Sequence, residues 1–364
     1  MDKREIRVVG AGITGATIAR RCADAGYNVT VFESQPMVGG LCADTSKGFQ
    51  YYGPHIFHTS NETVMSFLQQ YASFKFINHI VGLNMASGQY TFPFTLDEAR
   101  QIDPGFNIDN FYKLYPEKWS YEDYMIAKVG KKIYELVFKP YSENFWGCEA
   151  RHLNQSLGRR VSLRDSKADY FNDKYVGLPT CGFKQMIQHM LKHPKISIVN
   201  RKANYWLFHN EIVYVTSSID NFFDYRFGKL RYVNVSFDVI EETRKYRRLF
   251  TDKGLYTVNH INTHMDVLKP VYYRSSNMYM HYGNDGLGIV AECVDKDGGI
   301  DTHPLLDAIN SKHPLYEKLT YRLSKYTSLA DSLPNLKFCG RLGTYKYMDI
   351  DKCVEEALKI TENI

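Results

Sequence analysis

The opening of the chain alternates between short apolar runs and one helical stretch. Arg7–Val9 brings two valines into a glycine turn, and Asn28–Phe32, with two valines and a phenylalanine, ends in Glu33. Apolar residues at helical spacing fill the interval between them. This order predicts a strand, a helix and a second strand within about thirty residues, which is a β-α-β unit typical of a parallel sheet.

Further along, the pattern changes twice. From Leu96 to Trp146 it is helical, with apolar residues of Tyr121–Phe138 at helical spacing, and Pro140 is expected to end that helix. Short alternating runs then predict strands at Ile196–Val199, Ile212–Thr216, Leu230–Phe237 and Ile289–Cys293. A last helix is predicted over 349–360, with Asp349 at its N-cap.

The first turn carries the clearest chemical signal. Gly10, Gly12 and Gly15 have the spacing G-x-G-x-x-G between the predicted strand and helix, and Glu33 ends the second strand. The glycines allow a tight turn, close approach of the backbone to a pyrophosphate and close helix packing, while the acidic residue accepts ribose hydroxyls. The segment therefore predicts dinucleotide binding.

A pair of glycines after Glu33 narrows the choice of dinucleotide. Gly39 and Gly40 follow Glu33 closely, and this arrangement resembles FAD-binding enzymes of the glutathione-reductase type. In those proteins the chain passes over the AMP and pyrophosphate, which an NAD dehydrogenase does not require. The pair therefore favours FAD over NAD.

Composition excludes several classes of protein. The 364 residues include no apolar run of about twenty and carry a formal net charge of only +5, with basic and acidic residues interleaved. We therefore expect no membrane span and no nucleic-acid surface. Seven scattered cysteines without a C-x-x-C pair indicate reduced thiols, and a strand begins almost at once without a signal segment, so we expect a cytoplasmic protein without a metal site.

Several polar clusters allow two interpretations each. His55 and His58 flank an Ile-Phe pair and are either structural or functional. Arg159, Arg160 and Arg164 form either a solvated basic loop or a clamp for an anion, since guanidinium groups pair well with phosphate oxygens. Arg274 stands beside two tyrosines, and Gly340–Asp349 contains a second glycine turn that opens a helix.

Three strings together resemble the UDP-galactopyranose mutase family of bacteria. They are Gly53–Thr59 (GPHIFHT), Tyr170–Asn172 followed by Gly177–Pro179, and Gly340–Asp349 (GRLGTYKYMD), in the family's order and near its spacing. The resemblance covers nearly the whole chain and is weakest from about 230 to 315.

The resemblance implies an α/β fold with three parts. A Rossmann-like FAD-binding domain would be discontinuous, formed by residues 1–80, about 186–235 and 318–364. A small helical domain would span about 92–150 and lead into a mobile substrate loop at about 150–165. An antiparallel β-sheet substrate domain would take residues 81–91, 166–185 and 236–317.

The resemblance also implies a reaction and its participants. The family interconverts UDP-galactopyranose and UDP-galactofuranose without net redox change, and its FAD must be reduced because flavin N5 attacks the anomeric carbon while UDP leaves. The expected partners are a UDP-sugar and an external flavin reductant. A homodimer is compatible with this reading.

The resemblance also implies which residues of this sequence occupy the family's site positions. Arg160, Arg274 and His58 match catalytic positions: the two arginines clamp the diphosphate, and the histidine lies close to the flavin. Substrate positions are matched by Phe138, Tyr141, Trp146, Tyr170, Phe171, Asn172, Tyr347 and Asp349. Cofactor positions are matched by Gly10, Gly12, Thr14, Gly15, Glu33, Gly39, Gly40, Leu41, His55, Ile56, Arg341, Tyr347 and Met348.

The chain also departs from the family pattern. Cys293 stands where we align a diphosphate-binding tyrosine, Val233 replaces an arginine, and the region 97–120 is short. These differences leave UDP-arabinopyranose and UDP-N-acetylgalactosamine open as substrates. An FAD-dependent amine oxidase-like oxidoreductase and a non-catalytic nucleotide-binding protein are the other classes, although neither accounts for Arg160 together with Arg274.

Overall fold

The computed structural model describes residues 5–44, 50–53, 55–85, 87–108, 120–159, 161, 163, 165, 170–241, 257–261, 272–277, 288–294 and 300–364. For 237–241, 260, 261, 272–277, 288–294 and 300 we use the backbone alone. The described residues divide into two compact units. The first unit contains Met1–Ile77, Asp173–Arg231 and Lys318–Ile364, and the second contains Asn78–Asn172 and Tyr232–Glu317.

The strands of the described residues are, in chain order, β1 Glu5–Val9, β2 Asn28–Glu33, β3 Phe57–Thr59, β4 Phe74–Phe76, β5 Val81–Met85, β6 Gly88–Phe92, β7 Tyr175–Pro179, β8 Ile196–Asn200, β9 Ile212–Val215, β10 Tyr232–Glu241, β11 Thr257–Ile261, β12 Tyr272–Asn277, β13 Gly288–Val294, β14 Ile300–Pro304 and β15 Leu336–Phe338.

The helices of the same residues are α1 Ile13–Asp24, α2 Glu62–Leu68, α3 Leu96–Ile102, α4 Tyr121–Val129, α5 Lys131–Ile133, α6 Lys139–Trp146, α7 Ser156–Arg159, α8 Phe183–Leu191, α9 Ile219–Phe222, α10 Pro314–Asp331, α11 Gly340–Gly343 and α12 Ile350–Ile360. A π-helical turn, Tyr134–Phe138, joins α5 to α6.

A parallel sheet forms the centre of the first unit. Its strand order is β15-β9-β1-β2-β8, and every neighbouring pair runs parallel. Val8, Val31 and Val213 from its three central strands are fully buried. In β1 and β2 the buried positions alternate with partly exposed polar residues such as Arg7 and Thr30. The predicted β-α-β unit is confirmed as β1, α1 and β2.

A small antiparallel sheet, β3-β7-β4, completes the first unit. The sequence predicts that residues 166–185 belong to the antiparallel substrate sheet, yet β7 within this segment pairs with β3 and β4 instead. Both partners are only three residues long. Strands this short show no period of their own in the sequence, so the pairing could not be foreseen.

The second unit contains a seven-stranded sheet in the order β14-β10-β13-β12-β11-β5-β6. Its pairs are antiparallel except for β11 and β5, which run parallel, so the sheet is mixed rather than purely antiparallel. Strands β10 and β13 occupy the segments in which alternation predicted strands.

The helical part of the second unit corrects one expectation. The break predicted at Pro140 is wrong, because the helix ends earlier at Gly130, whose φ is +81°, and the next helical segment continues through Pro140 to Trp146. The π-helical turn precedes that proline. Its wider ring shifts the hydrogen-bond ladder at the point where proline has no N–H to donate.

The C-terminal helix begins as expected, with Asp349 at the N-cap of α12. Helix α10 was not predicted, since only Leu319 and Tyr326 of its side chains are fully buried and its apolar stripe is sparse. In the part of the chain that the structure describes, no helix is long and apolar enough to cross a membrane.

Candidate functional site

The turn between β1 and α1 leaves no room for side chains at two of its three glycines. A Cβ on Gly10, whose φ is +105°, would lie 2.4 Å from Thr216 Oγ1. A Cβ on Gly15 would lie 1.9 Å from the carbonyl oxygen of Gly10. At Gly12 a Cβ would meet only ordinary contacts, the nearest being Gly40 Cα at 3.7 Å. Protein packing therefore does not require glycine at this third position.

The N-terminus of α1 directly follows this turn. In the described structure no side chain caps the helix at Gly12, and its first turn contains no acidic residue. The first N–H groups of a helix lack intrahelical partners and carry a partial positive charge, which attracts phosphate groups. A diphosphate needs space close to the backbone and hydrogen-bond donors. Gly12 provides the space, and the N-terminus of α1 provides the donors.

Glu33 ends β2 beside the same turn. Its side chain is buried, and its two carboxylate oxygens accept hydrogen bonds from the N–H groups of Ala11 and Gln35, each at 2.8 Å. A carboxylate has about four lone-pair sites. Glu33 is thus fixed by the backbone and retains capacity to accept hydroxyl groups, as the ribose of an adenosine would need.

The pair Gly39 and Gly40 crosses directly over the turn. The N–H of Gly39 donates to the carbonyl of Ala11 at 2.9 Å, and Gly39 forms an isolated parallel bridge with Gly12. A Cβ on Gly40, whose φ is +55°, would lie 3.1 Å from Gly12 Cα. Leu41 continues in the short 3-10 turn Gly40–Cys42. Backbone atoms of both glycine motifs therefore lie together, as the sequence predicted.

The C-terminal glycine turn packs against the same place. Gly340 has φ of +74°, and a Cβ there would lie 2.8 Å from Thr14 Oγ1 at the start of α1. A Cβ on Gly343 would lie 2.6 Å from the carbonyl oxygen of Val215. Helix α11 is thus held over the carboxyl ends of β1 and β9, where open α/β sheets bind ligands.

Arg341 in this helix has unused hydrogen-bond donors. Its guanidinium group lies 4.4 Å from the centre of the Tyr347 ring, and Nη1 donates to the carbonyl of Met348 at 3.5 Å. Nε and Nη2 are buried and have no hydrogen-bond partner among the described residues. Because buried guanidinium donors are almost always satisfied, this pair indicates a polar ligand.

His55 lies near this arginine and is held neutral. Its Nδ1 is 2.7 Å from the carbonyl oxygen of Gly53, which can only accept, so Nδ1 carries the proton. Burial lowers the pKa of His55 to about 4, and the charge of Arg341 acts in the same direction. The Gly53 bond and Asp349 oppose this shift. Ile56, the next residue, is almost fully buried.

This neutral histidine should make stability depend on pH. The unfolded chain takes up a proton near pH 6.5 and the folded chain only near 4, so the stabilising contribution is present above 6.5 and is lost as pH falls towards 4. We expect wild type to lose up to about 3 kcal/mol more free energy of unfolding across this window than His55→Gln. Urea unfolding at several pH values measures the difference, and equal pH dependence in both proteins would contradict it.

His58 and the start of α12 form another part of the first unit. Nδ1 of His58 lies 2.8 Å from Oδ2 of Asp173. Thr59 Oγ1 donates to Asp351 Oδ2 at 3.3 Å, and burial raises the pKa of Asp351. Asp349 occupies the N-cap position, although its side chain makes no cap hydrogen bond within the described structure. The two predicted polar residues, His58 and Asp349, thus flank Asp351.

The aromatic candidates of the helical segment form one cluster in the second unit. Phe138 is fully buried against Phe92, with ring centres 5.7 Å apart. Tyr141 lies on the same Phe92 at 5.8 Å, and Trp146 packs edge-on against His303 at 6.1 Å. Phe138 therefore supports Tyr141 from the core. Tyr141 and Trp146 are the members only partly buried.

The Tyr170–Asn172 string packs on a buried histidine. The ring of Phe171 stacks on His79 with centres 5.6 Å apart, and the N–H of Tyr170 donates to the carbonyl of His79 at 2.7 Å. Asn172 is exposed. The first two residues are thus anchored to the chain before β5.

Of the two arginines that the sequence predicts to bind diphosphate, the structure describes one. Arg160 lies outside the described residues. Arg274 is in β12, where the register places it directly opposite Asn259 of β11 and Glu292 of β13. Directly opposite residues share a face of a sheet, so these three positions belong to one face.

The same register bears on Cys293. This residue is opposite Ser236 on β10, and it directly follows Glu292. Because successive residues of a strand point to opposite faces, Cys293 and Arg274 belong to different faces. The position of Cys293 at a diphosphate-binding tyrosine stays a prediction.

One candidate was missed. Ser217 follows β9, and its Oγ is buried without a hydrogen-bond partner among the described residues. Its backbone lies within 3.6 Å of the Cβ positions of both Gly10 and Gly343. The run Thr216–Ser218 after an apolar strand was the available signal, since parallel strands bring their carboxyl ends to one edge. Among the described residues no three acidic, histidine or cysteine side chains converge on a metal position.

The first unit and its glycine turns define a Rossmann-type nucleotide-binding protein. The family model of an NAD(P)-binding Rossmann-like domain matches residues 8–71. The model of UDP-galactopyranose mutase matches residues 136–347, more than half of the chain. A probable UDP-galactopyranose mutase of Klebsiella pneumoniae is 30% identical over 387 residues, covering 100% of this chain and 95% of that protein. The chain belongs to the UDP-galactopyranose mutase family, whose members are isomerases.

Two further relatives show the breadth of the likeness. A dTDP-fucopyranose mutase of Escherichia coli is 27% identical, over 98% of this chain and 97% of that protein. A crystal structure of reduced UDP-galactopyranose mutase superposes with a TM-score of 0.69 at 14% identity, covering 99% of this chain and 96% of that chain. The expected fold class, a Rossmann-like domain combined with a sheet domain, is confirmed.

Proposed function

We propose that this protein is a flavin-dependent mutase that interconverts UDP-galactopyranose and UDP-galactofuranose without net redox change. The observation that carries the proposal is the likeness to mutases along the full length of the chain. The buried, unsatisfied donors of Arg341 support it, because they indicate a polar ligand at the carboxyl edge of the parallel sheet.

FAD is the cofactor that these residues fit. Gly12 leaves its Cβ space to a ligand, the N-terminus of α1 favours a diphosphate, and Glu33 can accept ribose hydroxyls. Thr14 lies against Gly340, and His55 and Met348 lie near Arg341. The proposal also includes Ile56, the buried residue after His55. When bound and reduced, FAD supplies the nucleophilic nitrogen that the reaction requires.

The side chains of the protein would bind the nucleotide and stabilise the departing diphosphate. Arg274 and Arg160 supply positive charge to the two phosphates, which gain charge as the bond to the sugar breaks. Tyr141, Trp146, Phe171 and Asn172 present aromatic and amide groups suited to uridine. Tyr347 and Asp349 serve the sugar side, with His58 near the cofactor.

The sugar is the open part of this proposal. UDP-arabinopyranose and UDP-N-acetylgalactosamine remain candidates, and the relative named dTDP-fucopyranose mutase adds a deoxysugar nucleotide at similar identity. Chromatography of reduced protein incubated with each of the four nucleotide sugars decides among them. An amine oxidase-like activity would instead consume oxygen with an amine substrate and leave every nucleotide sugar unchanged.

We expect catalysis only with reduced flavin. Reduction makes the flavin nitrogen electron-rich enough to attack an anomeric carbon, whereas the oxidised ring is electron-poor. Dithionite-treated protein should convert UDP-galactopyranose, and air-oxidised protein should not. Equal turnover by both forms would rule out this mechanism.

Gly12→Ala provides a sharp test of the cofactor site. Since a Cβ at this position meets only ordinary protein contacts, the variant should fold with an unchanged melting temperature in its apo form. It should nevertheless purify without the yellow FAD of wild type, because the methyl group occupies the pyrophosphate position. Gly105→Ala, whose Cβ would lie 3.5 Å from Asp103 Oδ1, is the matched control and should stay yellow. Full flavin content in Gly12→Ala would refute the assignment.

The cellular setting follows from the same proposal. We propose a cytoplasmic enzyme that receives electrons from an external reductant and acts on a UDP-sugar. A homodimer is compatible with it, and sedimentation of the yellow protein measures the oligomeric state.

A further inference from the structure

The side chain of His58 in the first unit is hydrogen-bonded to the carboxylate of Asp173. Nδ1 of His58 lies 2.8 Å from Oδ2 of Asp173, a residue 115 positions later in the chain. The side chain of His58 is 17% exposed and that of Asp173 is 31% exposed. The pair is therefore partly shielded from water, and no motif of the sequence analysis includes Asp173.

Asp173 is itself held in place from its other side. Oδ1 of Asp173 accepts a hydrogen bond from Ser60 Oγ at 3.0 Å, and Ser60 Oγ accepts from the backbone N–H of Lys174 at 3.1 Å. Both carboxylate oxygens are thus engaged. The carboxylate cannot rotate away from His58 without breaking two bonds.

The backbone around the pair is also fixed. His58 is opposite Val176 in the β3–β7 ladder. Tyr175 donates its hydroxyl to Glu62 at 2.7 Å, and Lys174 pairs with the same carboxylate. The two chain segments that carry the histidine and the aspartate therefore hold a constant separation.

We propose that Asp173 is the positioning residue of His58. A carboxylate accepts hydrogen bonds, so Nδ1 must donate, and the neutral imidazole then carries its proton on Nδ1 with a lone pair on Nε2. Asp173 fixes this tautomer and the angle of the ring. The proposal rests on the proposed function, in which His58 acts beside the cofactor.

His58 also interacts electrostatically with the start of α12. Burial raises the pKa of Asp351, while the charges of Lys352 and His58 lower it. His58 therefore interacts with the carboxylate at the start of α12, two residues after Asp349. Asp173 from the β7 side and Asp351 from α12 are therefore two of the charged groups close to His58.

The tautomer can be measured without catalysis. Long-range nitrogen–proton correlation spectra of histidine-labelled holoprotein, with the signal of His58 assigned by its loss in His58→Gln, should show a protonated Nδ1 and an unprotonated Nε2. In Asp173→Ala the signal should change to the other tautomer or to a mixture. A wild-type spectrum with the proton on Nε2 would overturn the proposal.

Activity provides the second readout. We expect Asp173→Ala and Asp173→Asn to lower kcat about tenfold to a hundredfold with little change in KM, the loss typical of removing the partner that orients a functional side chain. Asp97→Asn, which removes an exposed carboxylate paired with Arg100 in the second unit, is the control, with expected wild-type spectrum and rate. Asp173→Asn conserves shape and serves where Asp173→Ala does not fold.

The outcomes separate the two proposals. A changed tautomer together with lowered kcat supports both of them. A changed tautomer in a protein that converts no nucleotide sugar supports the positioning role and refutes the proposed function. An unchanged tautomer with wild-type kcat in both Asp173 variants refutes the positioning role alone.

Discussion

Arg274→Ala should lower kcat/KM for UDP-galactopyranose about a hundredfold or more while FAD stays bound. The leaving diphosphate gains negative charge in the transition state, and losing one charged donor at such a position costs on the order of 2–4 kcal/mol. The backbone register places Arg274 on one face of the sheet with Asn259 and Glu292. Steady-state kinetics of reduced protein measure the effect.

Arg160→Ala should produce a loss of similar size, because the resemblance gives it the second contact with the diphosphate. Arg159→Ala, beside Arg160, and Arg231→Ala, just before β10, are the controls, since each removes an exposed arginine. Arg164→Ala belongs in the same series, since the basic loop also contains it. Wild-type rates in both Arg160→Ala and Arg274→Ala would mean that these are ordinary surface charges.

Arg341→Met should weaken FAD binding by about tenfold to a hundredfold. The substitution keeps much of the apolar stem and removes the buried Nε and Nη2 donors, and a hydrogen bond from a charged group contributes about 1.5–3 kcal/mol. Arg341→Lys should recover little, because one ammonium group does not reproduce two fixed donors or the packing on Tyr347. Flavin fluorescence during titration of apoprotein measures the affinity.

The melting temperatures of the wild-type and variant apoproteins separate a loss of FAD contacts from a loss of protein stability. If the donors serve a ligand, Arg341→Met should leave the apo melting temperature equal to or above that of wild type, since it removes unsatisfied buried groups. A variant that binds FAD with wild-type affinity would show that these donors face protein or water instead.

The cofactor turn could be predicted from the sequence because its information is local. Gly10, Gly12, Gly15 and Glu33 lie within one β-α-β unit, and each has a conformational or chemical task that other residues perform poorly. Arg341 and Tyr347 entered through the family resemblance. Their stacking and the buried donors became visible only in three dimensions.

The rest depended on pairings between distant segments. No local sequence motif marks Asp173, because it comes close to His58 only through the pairing of β3 with β7. The face of the sheet to which Cys293 belongs follows only from strand register, which is invisible until the partner strand is known. Pro140 was read as a helix breaker by its general property, although the π-helical turn before it accommodates the missing donor.

The first unit is built from three separate stretches of chain, and this has a consequence for biosynthesis. Strand β15 pairs with β9, which pairs with β1, so the parallel sheet joins residues near position 6 to residues near 213 and 336. A ribosome releases these stretches in order, and the second unit is synthesised between them. Strands β1 and β2 can pair early, but β9 is made only by residue 215, and its other edge stays unpaired until β15 has emerged. Such long-range closure folds slowly and exposes strand edges to aggregation, which makes chaperone supply and expression temperature decisive for yield.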